Sequence, residues 1–444
     1  MKSNKLQKYL LCKQIITLTF VLWMSSAQSI AQTKTYAQVD STTYALYLNG
    51  NWHNLIQEGQ QAIDSDIDYF YLRMRMAYAY FKVGKYRNAI PHYQKALGFN
   101  SRDANAQYFL MLCYEYSGRK NDALKFSAHI DEKLLPDMAK RYNNAIYAAG
   151  IVYSYSSTNE SSIEDEIVSD NNLDNDGVQI ATNYFHDINT FVSHRLGKSI
   201  IVHHGLEYLY KSDFRYLIWE GEEETNTDRL VKQWNYGIKL QVTPWDGGSF
   251  TPGINFVNVK LPNLETDDNS LESTLYSFRF DQDLSKFKLG TSLFSAELNS
   301  IKTTQIGGHL TWFPQSNLNL YYSLDAYWHQ QKYGSIHEIS FNHKHILGFK
   351  ITKNWWAEAS ALFPEVINFY DFSIGALHNS LEGTKNTFGL THIFLLNNSN
   401  LSFIAGANVN TGVSKFVPSD LPLTKSGSVN YNRITFSGGL IWKL

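Results

Sequence analysis

Serine, histidine and acidic residues that could act as nucleophile, base or metal ligand are spread over the second half of the chain. The sequence holds no G-x-S-x-G motif, in which a sharp turn exposes a catalytic serine, and no H-E-x-x-H motif for a catalytic zinc ion. Spacing along a chain cannot by itself bring a serine, a histidine and an aspartate together, so no catalytic triad is predicted. We therefore expect a protein that is not an enzyme, with an enzyme at the rim of the fold as an alternative.

Two histidines have the spacing of metal ligands. His343 and His345 are two residues apart, so within a strand they share one face and could chelate a metal ion. Phe341, Leu347 and Phe349 have the same parity, which favours an apolar surface over a metal site. We expect no metal site and no cofactor.

A long acidic segment lies at 157–177 and carries no Lys or Arg. Its carboxylates are Glu160, Glu164, Asp165, Glu166, Asp170, Asp174 and Asp176. Within it, Asn172 to Gly177 (N-L-D-N-D-G) is similar to a calcium loop but lacks the starting Asp and the Glu at the twelfth position. We expect a solvated acidic loop, with a dedicated Ca²⁺ site as the less favoured interpretation.

The elements that carry these residues have the period of β-strands. Apolar and polar residues alternate in the segments 200–210, 228–243 and 318–330, and again in the final stretch from Val429 to Leu444. That ending resembles the C-terminal assembly signal of bacterial outer-membrane barrels, although it closes on Leu rather than on an aromatic residue. The resemblance implies a last strand that pairs with the first and is recognised by the barrel-assembly machinery.

Composition agrees with a membrane barrel embedded in outer-membrane lipid. Aromatic residues make up 15% of the chain and charged residues only 18%, yet no run of eighteen apolar residues suggests a transmembrane helix. Short connections alternate with long loops, which we place at 157–177, 211–227, 262–270, 364–384 and 411–428. With Ile367 to His378 assigned to an external loop, the region 145–444 predicts an antiparallel transmembrane β-barrel of about fourteen strands, with twelve or sixteen as alternatives.

The polar faces of the predicted strands carry charges of both signs. We expect these side chains to line the barrel lumen: His203, Glu207, Arg229, Lys239, Arg279, Asp281, Asp325, Glu338, Glu358 and Arg433. Opposite charges inside a narrow barrel tend to pair, because an unpaired buried charge is costly. The mixed lining therefore favours a narrow or plugged lumen over an ion-selective pore.

The N-terminus has the pattern of a secretory signal peptide, residues 1–31. Four lysines precede a short apolar core, and an A-x-A-like site follows at Ser29 to Ala31. Cleavage would leave Cys113 as the single cysteine, which excludes a disulfide framework. The whole chain has a formal net charge of −2, and losing four lysines makes it more acidic, so nucleic acid is not an expected partner.

Residues 33–144 carry a helical repeat. Gly50, Gly84 and Gly118 recur at a spacing of thirty-four residues, the period of tetratricopeptide repeats, and alanine, leucine and isoleucine residues nearby recur at the same spacing. The family resemblance implies about three helix-turn-helix repeats with a capping helix at Asp137 to Asn144 and an inner groove. The aromatic residues that would face this groove are Tyr44, Tyr47, Tyr71, Tyr78, Phe81, Tyr108 and Tyr116. They could hold a peptide or a sugar chain, or they could pack within the repeats.

The order of signal peptide, tetratricopeptide repeats and barrel resembles two groups of proteins. One is the YaiO-like barrels and the other the exopolysaccharide-export porins. The resemblance implies a bacterial outer-membrane barrel whose repeats lie in the periplasm and recruit a periplasmic protein or guide a glycan toward the lumen. A secretion or envelope-assembly scaffold, with the barrel as anchor, is the alternative.

Overall fold

The computed structural model describes most of the chain from residue 34 onward. The described residues are 34–130, 133, 136, 142, 144–158, 163, 167, 176–260, 270–298, 301–334, 336–372, 376–379, 382–396, 400–418 and 428–443. The predicted signal peptide, most of the acidic segment and most of the predicted capping helix lie outside them.

Six α-helices form an N-terminal helical domain. They are α1 (Tyr36–Leu48), α2 (Trp52–Asp64), α3 (Phe70–Lys82), α4 (Tyr86–Phe99), α5 (Ala104–Tyr116) and α6 (Lys120–Phe126), followed by a 3₁₀ turn at Ser127–His129. Among the described residues, no helix combines the length and the apolar character that crossing a membrane requires.

The glycines that set the thirty-four-residue period lie between the two helices of each pair. Gly50, Gly84 and Gly118 have φ angles of +65°, +73° and +79°, a left-handed conformation that glycine adopts without steric cost. Ala89 and Ala123, which follow two of these glycines by five positions, are fully buried, because small side chains let the paired helices approach closely.

Fourteen antiparallel strands form the wall of a closed barrel. They are β1 (Ile146–Ser157), β2 (Gly177–Arg195), β3 (Ile200–Trp219), β4 (Glu222–Val242), β5 (Gly248–Lys260), β6 (Ser270–Asp283), β7 (Phe287–Leu298), β8 (Ile301–Trp312), β9 (Leu320–Tyr333), β10 (Ile336–Thr352), β11 (Trp355–Phe363), β14 (Gly383–Leu395), β15 (Leu401–Lys415) and β17 (Ser428–Lys443). The ring closes where β17 pairs with β1, from Ala148 opposite Lys443 to Ser157 opposite Ile434. The predicted fold class and the strand count are both confirmed.

The outer surface of the wall is apolar. Large hydrophobic side chains remain exposed at alternate positions of the strands, for example at Leu289, Leu293, Phe341, Leu347 and Phe436. The intervening residues point inward and are largely polar. An apolar exterior around a ring with no open edge is the arrangement of a barrel that spans a membrane.

The two ends of the barrel have different connections. The turn end holds the connections at 196–199, 243–247, 284–286, 313–319, 353–354 and 396–400, and the loop end holds all the others. The helical domain precedes β1 at the turn end. The long loop predicted at 211–227 is wrong: β3 and β4 pair through this region and are joined only at Glu220 and Gly221. Strand pairing, with one register shift between Asp213 and Arg215, satisfies most of the backbone there despite the polar sequence.

The segment between β11 and β14 folds back into the barrel. Two short strands, β12 (Phe369–Asp371) and β13 (Ala376–His378), pair as a small hairpin that is separate from the wall. The prediction that this segment contributes no strand to the barrel wall is confirmed. Placing it in an external loop is wrong, because Phe369 and Tyr370 are buried against residues that face the lumen. A further short strand, β16 (Val417–Pro418), pairs with the start of β2.

Candidate functional site

The lumen contains a polar chamber of about 750 Å³ in its turn half, the half next to the turn end. Its lining includes seven of the ten residues predicted for the lumen: His203, Glu207, Lys239, Arg279, Asp281, Asp325 and Glu358. Lys120 of α6 stands in the same lining, so the chamber reaches the helical domain. Tyr370 and Phe372 of the hairpin segment lie at its other limit.

Side-chain hydrogen bonds order the chamber wall across neighbouring strands. The carboxylate of Glu207 accepts a hydrogen bond of 2.8 Å from Asn235, whose own oxygen accepts one of 2.9 Å from Asn255. Next to them, Ser193 and Gln241 each lie within hydrogen-bond distance of the His203 ring, at 2.8 and 3.2 Å. Amide, hydroxyl and carboxylate groups therefore present donors and acceptors side by side, a surface suited to a polar ligand rich in hydroxyl groups.

Two of the predicted lumen residues lie in the other half of the barrel, the loop half. Arg229 donates to Asp213 at 3.4 Å. Arg433 forms an ion pair of 2.6 Å with Glu382 and also donates to Asn410. These arginines are thus bound in ion pairs beyond the hairpin and do not line the chamber. Glu338 is exposed near the loop-end tip of β10.

The loop half of the lumen is filled with packed side chains. Tyr370 and Leu377 of the hairpin pack on inward-facing wall residues that include Phe294 and Leu275, and the Tyr370 and Phe294 rings stack with centroids 5.1 Å apart. Ile163, Ile167 and Phe416 join a second cluster with wall residues of β2, β3 and β17. Each buried side chain of this size contributes about 1.5–3 kcal/mol, so the filling is stable.

Polar side chains from four wall strands bind the backbone of the segment that carries the hairpin. Gln305 donates to the Tyr370 carbonyl at 2.8 Å and accepts from the Tyr370 amide at 3.2 Å. The carbonyls of Ile367, Glu365 and Phe372 accept hydrogen bonds from Gln331, Asn342 and Arg279, respectively. An ion pair of 2.6 Å joins Lys344 to Asp371. The hairpin is therefore specifically seated, because hydrogen bonds satisfy its buried backbone.

The helical domain is attached to the turn end through Arg87 of α4. The Arg87 side chain is only 3% exposed, and it forms an ion pair of 2.8 Å with Asp283. Its guanidinium lies 3.7 Å from the centre of the Phe313 ring, and its backbone amide donates to the Ser316 carbonyl at 3.0 Å. Buried, charge-assisted contacts of this kind fix orientation as well as position.

A second group of contacts joins α6 and the preceding turn to the connection between β4 and β5. Arg119 binds Asp122 at 2.8 Å and Asp246 at 2.9 Å, and Asp122 accepts a hydrogen bond of 2.7 Å from the Gly247 amide. Burial raises the pKa of Asp122, while Arg119 and the Gly247 amide oppose that shift by stabilising the carboxylate. The Gly84 carbonyl accepts a hydrogen bond of 2.8 Å from Asn317, and Gly118 lies next to the Leu318 side chain, so the turns of the second and third helix pairs both adjoin the barrel.

The aromatic residues predicted for the repeat groove fall into two groups. Tyr47, Tyr78, Phe81, Tyr108 and Tyr116 belong to one connected set of rings that extends from α1 to α5. Additional rings, which the sequence pattern did not single out, complete this set: Trp52, Tyr86 and Phe109. We call these eight residues the aromatic surface.

The remaining two predicted groove residues lie apart from the aromatic surface. The Arg75 guanidinium stands 5.0 Å from the Tyr44 ring centre and 6.0 Å from that of Tyr71. Arg75 also binds Asp40 at 2.8 Å. Tyr44 and Tyr71 therefore flank a paired cation, whereas the aromatic surface consists mainly of ring–ring contacts.

The histidine pair at His343 and His345 lies on the outer face of β10. The two rings hydrogen-bond to each other at 2.9 Å, and Tyr322 binds the second nitrogen of His345 at 2.7 Å. Phe363 packs beside both rings. Across the described part of the chain, no group of three or more His, Cys, Asp or Glu residues could hold a metal ion.

Comparison with known proteins gives only distant structural similarity. No family model matches the sequence, and no curated protein matches it. Among solved structures, a FadL homologue of Pseudomonas aeruginosa is similar with a TM-score of 0.38 and 10% identity, over 73% of this chain and 92% of that one. The P. putida toluene transporter TodX gives 0.41 and 7%, over 70% and 92%.

A third similar structure is described as a bacterial polysaccharide outer membrane secretin. It has a TM-score of 0.32 and 11% identity, over 67% of this chain and 98% of that one. All three TM-scores lie below 0.5, so these similarities support no conclusion about what this barrel binds or carries.

Proposed function

We propose that this protein is a bacterial outer-membrane barrel of the transporter or porin type, with its turn end and its helical domain in the periplasm. The apolar outer surface supports the membrane location. The predicted signal peptide supports export across the inner membrane. A helical domain that precedes the first strand is left on the periplasmic side when that strand inserts.

The helical domain acts as a set of tetratricopeptide repeats that guides a polar polymer, such as a polysaccharide, into the chamber. The observation that carries this proposal is the chamber lining, in which Lys120 of the helical domain stands beside strand residues such as Lys239 and Glu358. In this proposal, a ligand held on the helical domain passes Lys120 to enter the lumen. The hairpin closes that path at the loop half until it moves.

The aromatic surface is the second observation that supports the proposal, because it indicates the class of ligand. Tyr108 and Tyr116 are 37% and 46% exposed although their rings contact the rest of the set. Half-exposed rings offer flat apolar faces with hydroxyl groups at the edge, which suit the stacking of sugar rings. A glycan chain is therefore the ligand that fits both the aromatic surface and the hydroxyl- and amide-rich chamber.

Titration calorimetry of the full-length protein in nanodiscs tests this function with soluble neutral oligosaccharides. We expect binding that weakens about thirtyfold in Tyr78→Ala plus Tyr108→Ala, since each of the two lost stacking contacts costs on the order of 1 kcal/mol. Tyr36→Ala is the matched control, because Tyr36 is 56% exposed and contacts Tyr69 outside the aromatic surface. Binding that is absent, or that survives the double substitution unchanged, contradicts the proposal.

A further inference from the structure

Three residues on adjacent strands form a hydrogen-bonded chain beneath the hairpin. The Ser292 hydroxyl on β7 lies 2.7 Å from Nε2 of His309 on β8. Nδ1 of the same ring lies 2.7 Å from Oδ1 of Asp325 on β9. A hydroxyl on one imidazole nitrogen and a carboxylate on the other is the arrangement that activates a serine nucleophile.

The strand register explains how residues that are distant in sequence come together. His309 is directly opposite Asp325 in the β8–β9 pair, and Ser292 is opposite Gly307, two positions before the histidine. A side chain on Gly307 would meet the Ser292 hydroxyl at 2.4 Å, so the glycine leaves the space that the serine occupies. All three side chains face the lumen.

A cationic donor stands beside the serine. Arg279 on β6 is directly opposite Ser292 in the β6–β7 pair. Two of its nitrogens bind Asp281 at 2.8 and 2.9 Å, while Nη1 is directed at the carbonyl oxygen of Phe372, 3.5 Å away. A positive group at this place can stabilise the oxyanion that forms when a serine attacks a carbonyl.

The hairpin segment covers this cluster as a substrate would. The Phe372 ring packs against His309 with centroids 6.0 Å apart, and the Phe372 carbonyl oxygen accepts a hydrogen bond from Nη1 of Arg279. Ser292 is 1% exposed beneath it, whereas Asp325 and Arg279 line the chamber. Displacing Phe372 would open the serine and the arginine to a molecule in the chamber.

We propose that Ser292, His309 and Asp325 form a serine-esterase centre, which the hairpin holds closed. Its substrates are carboxylic esters of polar, hydroxyl-rich alcohols, because amide and hydroxyl groups dominate the adjoining chamber wall. This activity lies beyond the proposed transport function and does not depend on it.

The reaction needs only the ester and water. The Ser292 oxygen forms a bond to the ester carbon as its proton passes to Nε2 of His309, and Arg279 holds the oxyanion. The carbon–oxygen bond to the alcohol then breaks, and the alcohol leaves with that proton. Water next adds to the acyl group through the same histidine, releasing a carboxylic acid and restoring the serine.

Labelling of the full-length protein with a fluorophosphonate probe tests the proposal, with the modified peptide located by mass spectrometry. We expect label on Ser292, at least tenfold faster labelling in Phe372→Ala, and loss of label in Ser292→Ala. Asp325→Asn is expected to slow labelling at least a hundredfold, because the histidine loses the partner that fixes its tautomer.

Ser193 provides a matched control within the same barrel. Ser193 also hydrogen-bonds a histidine, His203, but the other nitrogen of that ring faces the Gln241 amide rather than a carboxylate. Ser193 should therefore take up no label in the wild type or in Phe372→Ala. Heat-modifiable migration on gels shows that each variant keeps its barrel. Failure to label Ser292 in the folded Phe372→Ala protein, or label elsewhere that persists in Ser292→Ala, overturns the proposal.

Discussion

The two halves of the lumen are built from the same alternating strands and yet differ in kind. In the loop half, rings such as Phe294, Phe369 and Tyr370 pack into apolar clusters, and ion pairs such as Arg433–Glu382 fill the remaining space. In the turn half, the inward positions are amides, hydroxyls and charges around a chamber. The loop half is therefore filled, and the chamber in the turn half reaches Lys120 of the helical domain. In the proposed function, the hairpin determines whether this chamber becomes a channel.

Removing the hairpin should have the largest effect. Replacing residues 366–379 by a short Gly-Ser linker takes out Phe369 and Tyr370 and leaves the wall strands intact. We expect the full-length protein to show no steady conductance in planar bilayers and the shortened protein to show stable open steps. If the shortened protein shows no conductance either, other segments must fill the loop half on their own.

Breaking the attachment at Arg87 should be next in size. Arg87→Ala leaves Asp283 without its cation at a buried contact, which costs about 3–5 kcal/mol. The helical domain should then become sensitive to limited proteolysis while the barrel stays resistant. Arg102→Ala, which removes the same charge at an exposed position, serves as the control. Equal protease resistance in both variants would show that the ion pair contributes little.

His92 should make the helical domain sensitive to acid. Burial, with Arg73 nearby, lowers the pKa of His92 from 6.5 to about 4. As the pH falls, the unfolded chain therefore takes up this proton at a higher pH than the folded chain does. Stability that is fully present above pH 6.5 is therefore lost as the pH falls toward 4, by about 3 kcal/mol. Thermal melting followed by helical circular dichroism should show this loss in the wild type and in His53→Gln, where the histidine is exposed, but not in His92→Gln.

The turn glycines should give the smallest effect. Gly50→Ala and Gly118→Ala both place a side chain at a positive φ, which costs about 1 kcal/mol. Only at Gly118 does the added carbon press on the barrel, 3.0 Å from Leu318. We expect Gly118→Ala to lower the free energy of unfolding of the helical domain by about 1 kcal/mol more than Gly50→Ala. Equal losses of unfolding free energy in the two variants would mean that the Leu318 side chain moves aside without an energetic cost.

Periodicity predicted the elements of this fold better than their contacts. The strand count and the pairing of β17 with β1 followed from the alternation in Val429 to Leu444 and its counterparts. The extension of β3 and β4 through 211–227 could not be predicted by counting turn residues, because backbone pairing tolerates Glu222 to Glu224 at an exposed tip.

The contents of the lumen were the harder part to predict. Inward positions such as Lys239 and Arg279 could be assigned from parity. The position of Tyr370 depends on Gln305 and Phe294, which are far away in the sequence. The Ser292, His309 and Asp325 cluster depends in the same way on the register of three strands, which sequence spacing does not reveal.

Directional cysteine labelling tests the difference between the two halves most directly. In a Cys113→Ala background, Gln241→Cys places a thiol in the chamber lining, and Glu220→Cys places one at the loop end. With a membrane-impermeant thiol reagent, Glu220→Cys should react in intact cells, and Gln241→Cys only after the outer membrane is permeabilised. Equal labelling of Gln241→Cys in intact cells would show that the lumen is open through the loop half and would contradict the closed chamber.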